Sequence, residues 1–458
     1  MLLRFALALL VLVTGCSRPS EKTGLQSWVT SADKSSLLQK RNLLTKQAVN
    51  LPEIMVDTSR TFQTIDGFGY TLTGGSAYLI REKLSTEERQ ALLRELFSTD
   101  SNSIGISYLR VSIGASDLDD HVFSYSDMPD TTLQHFTLAE DQKNLIPLLK
   151  EILALQPTIK IMGSPWSAPA WMKTNRLPKG GSLHPDYYAT YARYLMKYIR
   201  GMAKEGIVID AITIQNEPEN PHNTPSMLMT AEEQADFIKN HLGPAFQQAG
   251  ITTKIVLFDH NCDHPEYPIL ILNDAEARKY VDGSAFHLYL GEIDAMSKVH
   301  QAHPDKNLYF TEQWTSGQGD FGGDLMWHLK NLIVGATRNH ARTVLEWNLA
   351  ADPQFNPHTD DGGCTLCQGA LTIGDGVTRN VSYYIIAHAS QFVPPGSVRI
   401  DSTVPESLPN TAFVTPAGKK VLIVLNEWDK AQSFVIRDQS FKQAVSLPAR
   451  SVATFAWP

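Results

Sequence analysis

The sequence predicts an α/β chain: a (β/α)8 TIM barrel with a small β-sandwich attached. Three observations point there. From residue 62 onward, short β-rich apolar runs alternate with longer stretches of helical period, the pattern of repeated βα units and a parallel sheet. Eight such runs fall within residues 62–393, the number that closes a barrel. Beyond residue 393 the helical pattern stops and only short strand-like runs between turn residues remain.

The eight runs are FQTIDGFGYTL, ISYLRVSIG, IKIMGSPWS, VIDAITIQNE, KIVLFDHN, SAFHLYLG, NLYFTEQW and RTVLEWNLA. Between them STEERQALLRELF, AEDQKNLIPLLKEILAL, PDYYATYARYLMKYIRGMAKEG and AEEQADFIKNHLGPAF place apolar residues three and four apart, as helices lying on a sheet do. NVSYYIIAHASQFV reads as the eighth helix. Residues 394–458 (VRIDS, TAFVTPAGKKVLIVLNEW, AQSFVIRD, QAVSLPARSVATFAWP) form the sandwich, and residues 51–61 are expected to add a strand to it.

Ahead of these lies MLLRFALALLVLVTGC, one Arg followed by a short apolar run and small residues, which is a secretory signal over residues 1–15 rather than a spanning helix. Val13-Thr14-Gly15-Cys16 resembles the bacterial lipobox, which implies lipidation at Cys16 and an exported protein held on the cell envelope, expected at the outer membrane. Residues 16–50, polar and rich in Ser and Lys, read as a flexible tether.

The 43% hydrophobic and 19% charged composition is globular, and a formal net charge of −8 without a basic run predicts no nucleic-acid partner. Cys364 and Cys367 form a lone C-x-x-C without a second pair, so a local disulfide or two free thiols is expected there rather than zinc.

The C-terminal strand ends of a TIM barrel carry its chemistry. Burying an unpaired carboxylate is costly, so Glu217 in ITIQNEPEN belongs at a strand mouth. Glu312 ends another run, and the two would face each other across the barrel. Arg110, Trp166, Asn216, His287, Tyr289 and Trp347 stand at further strand ends, while Trp314 and Trp327 carry no assignment. Two carboxylates beside stacking tryptophans suit cleavage of a glycosidic acetal, one protonating the leaving oxygen and the other attacking the sugar carbon.

GSPWSAPAWMKTN, AITIQNEPEN, SAFHLYLGE, LYFTEQW, VLEWNLAADP and HASQFVPPGSVRI together resemble the glucosylceramidase family of glycoside hydrolases, family thirty, from about residue 60 onward. The resemblance implies hydrolysis of β-glycosides with retention, with Glu217 as general acid/base and Glu312 as nucleophile. It implies that Asn216 holds the sugar 2-hydroxyl, that Trp166 and Trp347 wall the sugar subsite, and that Arg110, His287 and Tyr289 orient the nucleophile or line the pocket. No cofactor is expected, and no catalytic metal. Animal glucosylceramidases carry an Asp in GFGG-x-x-T-D where this chain has Gly74 in GFGYTLTGGSAY, so the contacts at the sugar end are expected to differ and a β-1,6-glucan competes with a glycolipid as substrate. Two other readings remain: a non-catalytic glycan-binding lipoprotein, and a metal-dependent barrel hydrolase built on Asp259, His260 and His264.

Overall fold

The computed structural model describes residues 24–46, 50–100, 102–439 and 442–458; Cys16 and the signal segment lie outside these. Eight parallel strands close a barrel: Gly67–Thr71, Tyr108–Ser112, Lys160–Ser164, Ala211–Thr213, Lys254–Cys262, Val281–Gly291, Asn307–Glu312 and Ala341–Asn348, hereafter barrel strands one to eight. Both faces of this sheet are covered, so its strands are apolar almost throughout.

The barrel interior is layered, and the layering places the site. Tyr108, Met162, Ala211, Val256, Ala285, Tyr309 and Leu345 form one apolar tier. Side chains on a strand alternate faces, so stepping two residues toward the C-terminal ends gives the next inward tier: Arg110, Ser164, Thr213, His287, Thr311 and Trp347. Barrel strand five breaks the count. Phe258 and Asp259 are non-glycine residues with φ of 68° and 64°, and the register with strand six shifts between Phe258 and His260. This bulge turns Asp259, three residues past Val256, into the polar tier.

Helices pack outside the strands. Thr86–Phe97 and Ala231–Phe237 each begin with a capping box, Ser85 with Glu88 and Thr230 with Glu233. The stretch AEEQADFIKNHLGPAF is not one regular helix. It passes through a π turn at Ile238–Leu242 before Gly243–Ala249, where Pro244, which has no N–H to donate, would interrupt a continuous α ladder.

The sandwich has nine strands in the order Gln39–Lys40, Gln26–Ser31, Ser451–Trp457, Lys420–Asn426, Asn410–Val414, Val398–Ser402, Glu53–Thr64, Gln432–Arg437 and Lys442–Leu447. Glu53–Thr64 joins its two halves, pairing antiparallel with Val398–Ser402 and parallel with Gln432–Arg437. Its core includes Ile54, Val56, Leu422, Phe434 and Phe455.

The tether expected over residues 16–50 is corrected for its described part. Gln26–Ser31 pairs along its whole length with Ser451–Trp457, and Val29 is fully buried. Burial of Ser27, Val29, Thr30 and Ser31 and the partners of the Thr30 hydroxyl give this polar segment a strand's fit, which its composition hides. Nε2 of His388, on the last barrel helix Val381–Ser390, lies 2.8 Å from Thr30 Oγ1, and Nδ1 lies 2.8 Å from Thr454 Oγ1, pinning barrel to sandwich.

Candidate active site

Arg110 stands at the centre of the polar tier. Its Nη1 donates to Glu312 Oε2 at 2.6 Å, and its Nη2 to Asp259 Oδ2 at 2.7 Å and Asn216 Oδ1 at 2.6 Å. The guanidinium also lies 4.7 Å from the centre of the Trp166 ring. Asp259 is fully buried and saturated: Ser164 and Thr213 donate to Oδ2, Thr311 donates to Oδ1, and His287 Nε2 lies 3.1 Å from Oδ1. Burial pushes this carboxyl up, but Arg110, His287 and the hydroxyls hold it well below the ordinary carboxylate range. A buried Arg is tolerable only because two carboxylates and an amide take its donors.

The two glutamates sit above this floor with different supports. Glu312 is gripped on Oε2 by Arg110 and on Oε1 by the Tyr289 hydroxyl at 2.9 Å. Glu217 has a left-handed backbone (φ 47°) and donates its N–H to Asp259 O, which turns the chain out of barrel strand four and over the mouth. Its Oε2 accepts from the neutral amides of Asn220 at 2.7 Å and Asn223 at 3.2 Å. Nδ1 of His287 lies 3.5 Å from Glu217 Oε1 and 3.7 Å from Glu312 Oε1. One ring nitrogen is thus in reach of both carboxylates, which face each other across the mouth.

Burial opposes charge on His287, but Glu312, Asp259 and Glu217 outweigh it and push the imidazole up to about 9. Burial likewise raises Glu312, with His287 and Arg110 pulling the other way. Against the same push of burial, His287 and His260 hold Glu217 below its ordinary value.

A cavity of about 190 Å³ opens over both glutamates, lined also by Asp117, Trp166, Asn220, Asn223, Tyr289, Trp314, Trp347 and the Cys364–Cys367 disulfide. Trp166 and Trp347 stack on each other with centroids 5.3 Å apart. The structure thus brings together all eight residues read from the sequence, with Glu217, Glu312, Trp166, Trp347 and Tyr289 in the lining and Arg110, Asn216 and His287 in the floor. Trp327 is exposed on an outer helix, away from the cavity.

The metal set Asp259, His260 and His264 is not assembled. The bulge commits Asp259 to Arg110, while the half-exposed His264 pairs with Glu219 at 2.8 Å. Sequence reasoning missed Asp117, a third carboxylate of the cavity that is buried with Oδ1 unpartnered. Burial and the charges of Glu312 and Glu217 push it up to about 8. It also missed Asn220 and Asn223, three and six residues past Glu217, a spacing that could have marked them. Gly74 lies elsewhere, in a neighbouring cavity, where a Cβ would meet Oδ1 of Asp119 at 1.7 Å.

Residues 65–393 match the glycosyl hydrolase family 30 TIM-barrel domain, and residues 396–455 match the family 30 beta sandwich domain. The chain belongs to glycoside hydrolase family 30. Among relatives, it is 33% identical to an endo-1,6-beta-D-glucanase of Aspergillus fumigatus, over 86% of this chain and 85% of that one. It is 29% identical to the lysosomal acid glucosylceramidase of Mus musculus, over 88% and 83%. A solved endo-beta1,6-glucanase superposes with a TM-score of 0.88 at 35% identity, covering 95% of this chain and 99% of that chain. Like these family 30 relatives, the chain is a glycosyl hydrolase, and retention is general to the family.

Proposed function

We propose that this family 30 enzyme hydrolyses β-1,6-linked glucan, in endo mode, by double displacement through Glu312 and Glu217. One observation carries the assignment of roles: Glu312 is held by a charged and a phenolic donor, whereas Glu217 is held by two neutral amides. The first arrangement aims Glu312 for attack, with Arg110 opposing the burial that raises it. The second leaves a carboxyl free to gain and lose a proton.

In the first step Glu312 attacks the anomeric carbon while Glu217 protonates the departing glycosidic oxygen, giving a glycosyl ester. Glu217 then takes a proton from water, whose oxygen releases the sugar and restores Glu312. In the free site the charge of His287 keeps Glu217 low; a sugar seated between the carboxylates adds desolvation that raises it. Asp117 and the tryptophan pair face the same cavity and offer an acceptor for sugar hydroxyls and an apolar wall. The activities named for the relatives at 33% and 35% identity support glucan over glycolipid. On the sequence evidence for residues 1–16, the enzyme is also exported and anchored through lipidated Cys16, a reading that fails if Cys16→Ser leaves the protein in the membrane fraction.

Purified enzyme is offered linear β-1,6-glucan and, separately, a fluorescent glucosylceramide, with Glu312→Ala as control. Oligosaccharides of unchanged anomeric configuration from the glucan alone, absent with the variant, are the expected result. Ceramide release without glucan cleavage overturns the proposed substrate, and inverted products overturn the mechanism.

A further inference from the structure

Two buried ring nitrogens in the site make no hydrogen bond of good geometry among the described residues: Nδ1 of His260 and Nδ1 of His287. Both lie near one carboxylate oxygen. They lie 4.0 Å and 3.5 Å from Oε1 of Glu217, and the three atoms are all within 4.8 Å of one another. A buried ring nitrogen without a well-formed hydrogen bond is a lost interaction, and two of them beside one carboxylate oxygen make a candidate set of cation ligands. Tetrahedral zinc, with ligands at about 2.0–2.1 Å, holds its N and O atoms about 3.3 Å apart, so closing this triangle asks for shifts on the order of 1 Å.

The surroundings suit a cation as well. A cation binding at Nδ1 displaces the proton His287 carries there to water, while the Asp259 carboxylate behind Nε2 fixes the aim of the metal-bound imidazole. The cavity over Glu217 leaves an open side for a water as fourth ligand. Two imidazoles and one carboxylate favour zinc and its first-row neighbours over calcium or magnesium, which require mainly oxygen ligands.

We propose that Glu217, His260 and His287 form an inhibitory site for a first-row transition cation, of which zinc is the representative. A cation there occupies the Oε1 oxygen and covers the floor on which the sugar must sit. Metal and substrate therefore exclude one another, and each lowers the affinity for the other by the same factor. This consequence rests on the acid/base role of Glu217; the binding itself does not.

Calorimetry of zinc chloride into the chelator-stripped full chain tests the binding, with His260→Phe, which keeps the ring, and His264→Gln, which removes a surface imidazole outside the set. One site on the wild type, weakened at least tenfold by His260→Phe and unchanged by His264→Gln, is the expected result; equal affinity in wild type and His260→Phe overturns the proposal. Should His260→Phe fail to fold, diffraction from zinc-soaked wild-type crystals at the zinc edge decides, since an anomalous peak away from the three ligands is equally fatal. In the kinetic arm zinc raises the KM for β-1,6-glucan and leaves kcat unchanged. Bound zinc that leaves turnover unaltered or speeds it overturns the inhibitory role. Absence of glucan cleavage with or without zinc counts against the glucanase reading alone, because the calorimetry stands by itself.

Discussion

The Tyr289 hydroxyl donates a 2.9 Å hydrogen bond to Oε1 of Glu312 from the neighbouring barrel strand. Tyr289→Phe removes that donor while keeping the ring. A hydrogen bond to a charged group is worth about 1.5–3 kcal/mol, so kcat on β-1,6-glucan is expected to fall about 10- to 100-fold. Steady-state kinetics on the variant check this, and a kcat within a factor of two of wild type would remove Tyr289 from the machinery.

Arg110 and Asp259 have side chains with no solvent exposure. Asp259→Ala leaves the guanidinium with one carboxylate where it had two, and breaking such a pair costs about 3–5 kcal/mol. Urea unfolding followed by tryptophan fluorescence should show the midpoint fall accordingly. Since the folded-state pKa of Asp259 lies below its unfolded value, this stability is present above about pH 4 and is lost as the pH falls further.

Asp117, pushed up to about 8, is neutral through most of the physiological range. As the pH rises through that value it ionises and adds a negative charge beside Glu217 and Glu312. The stability linked to this carboxyl is fully present below its ordinary value near 4 and declines as the pH rises through about 8. Asp117→Asn cannot ionise, so its kcat/KM profile should extend further to the alkaline side than that of the wild type. Coincident alkaline limbs would show that Asp117 does not control the decline.

His388 is buried and held down to about 3 by that burial, neutral between Thr30 and Thr454. Below pH 6.5 the unfolded chain takes up a proton that the folded chain refuses, so stability is lost as the pH falls from 6.5 toward 3. By pH 4 the loss is on the order of 3 kcal/mol. His388→Gln should be less stable at pH 7 but flatter in Tm across pH 4–6.5; parallel curves would contradict this.

Gly74→Asp, which restores the residue that animal glucosylceramidases carry, should fail. The new Cβ would press on Oδ1 of Asp119, a carboxylate whose other oxygen, Oδ2, is fixed by the N–H and hydroxyl of Ser116. Overpacking costs about 1–3 kcal/mol, so a lowered Tm with no gain in ceramide release is expected.

The barrel strands were legible because a sheet covered on both faces writes near-continuous apolar runs, and each polar residue ending one marks the mouth. Glu217, Glu312 and Arg110 could be read that way. Asp259 could be read as a strand-end residue but not as the partner of Arg110, since its inward aim comes from two consecutive left-handed residues that no periodicity reveals. Asp117, Asn220 and Asn223 sit on loops whose course is set by other loops. The N–H of Thr359, for instance, bonds Asp117 O, and its hydroxyl bonds Thr224 O. The strand Gln26–Ser31 was hidden because its polar residues find hydroxyl and backbone partners in a sheet assembled from distant sequence.

That strand also bears on the order in which the protein can be finished. Gln26 pairs with Ala456, and Ser451–Trp457 lies between Gln26–Ser31 and Lys420–Asn426. The whole barrel is therefore enclosed between two pieces of one sheet. Whether the chain emerges from a ribosome or crosses a translocation channel, all eight barrel strands are available before the strand that closes the sandwich has appeared, and the earliest strand must wait for it. Such distant pairing is slow to form. A cut that removes Ser451–Trp457 would uncover two strand edges at once, turning a stable product into one that sticks to its own copies.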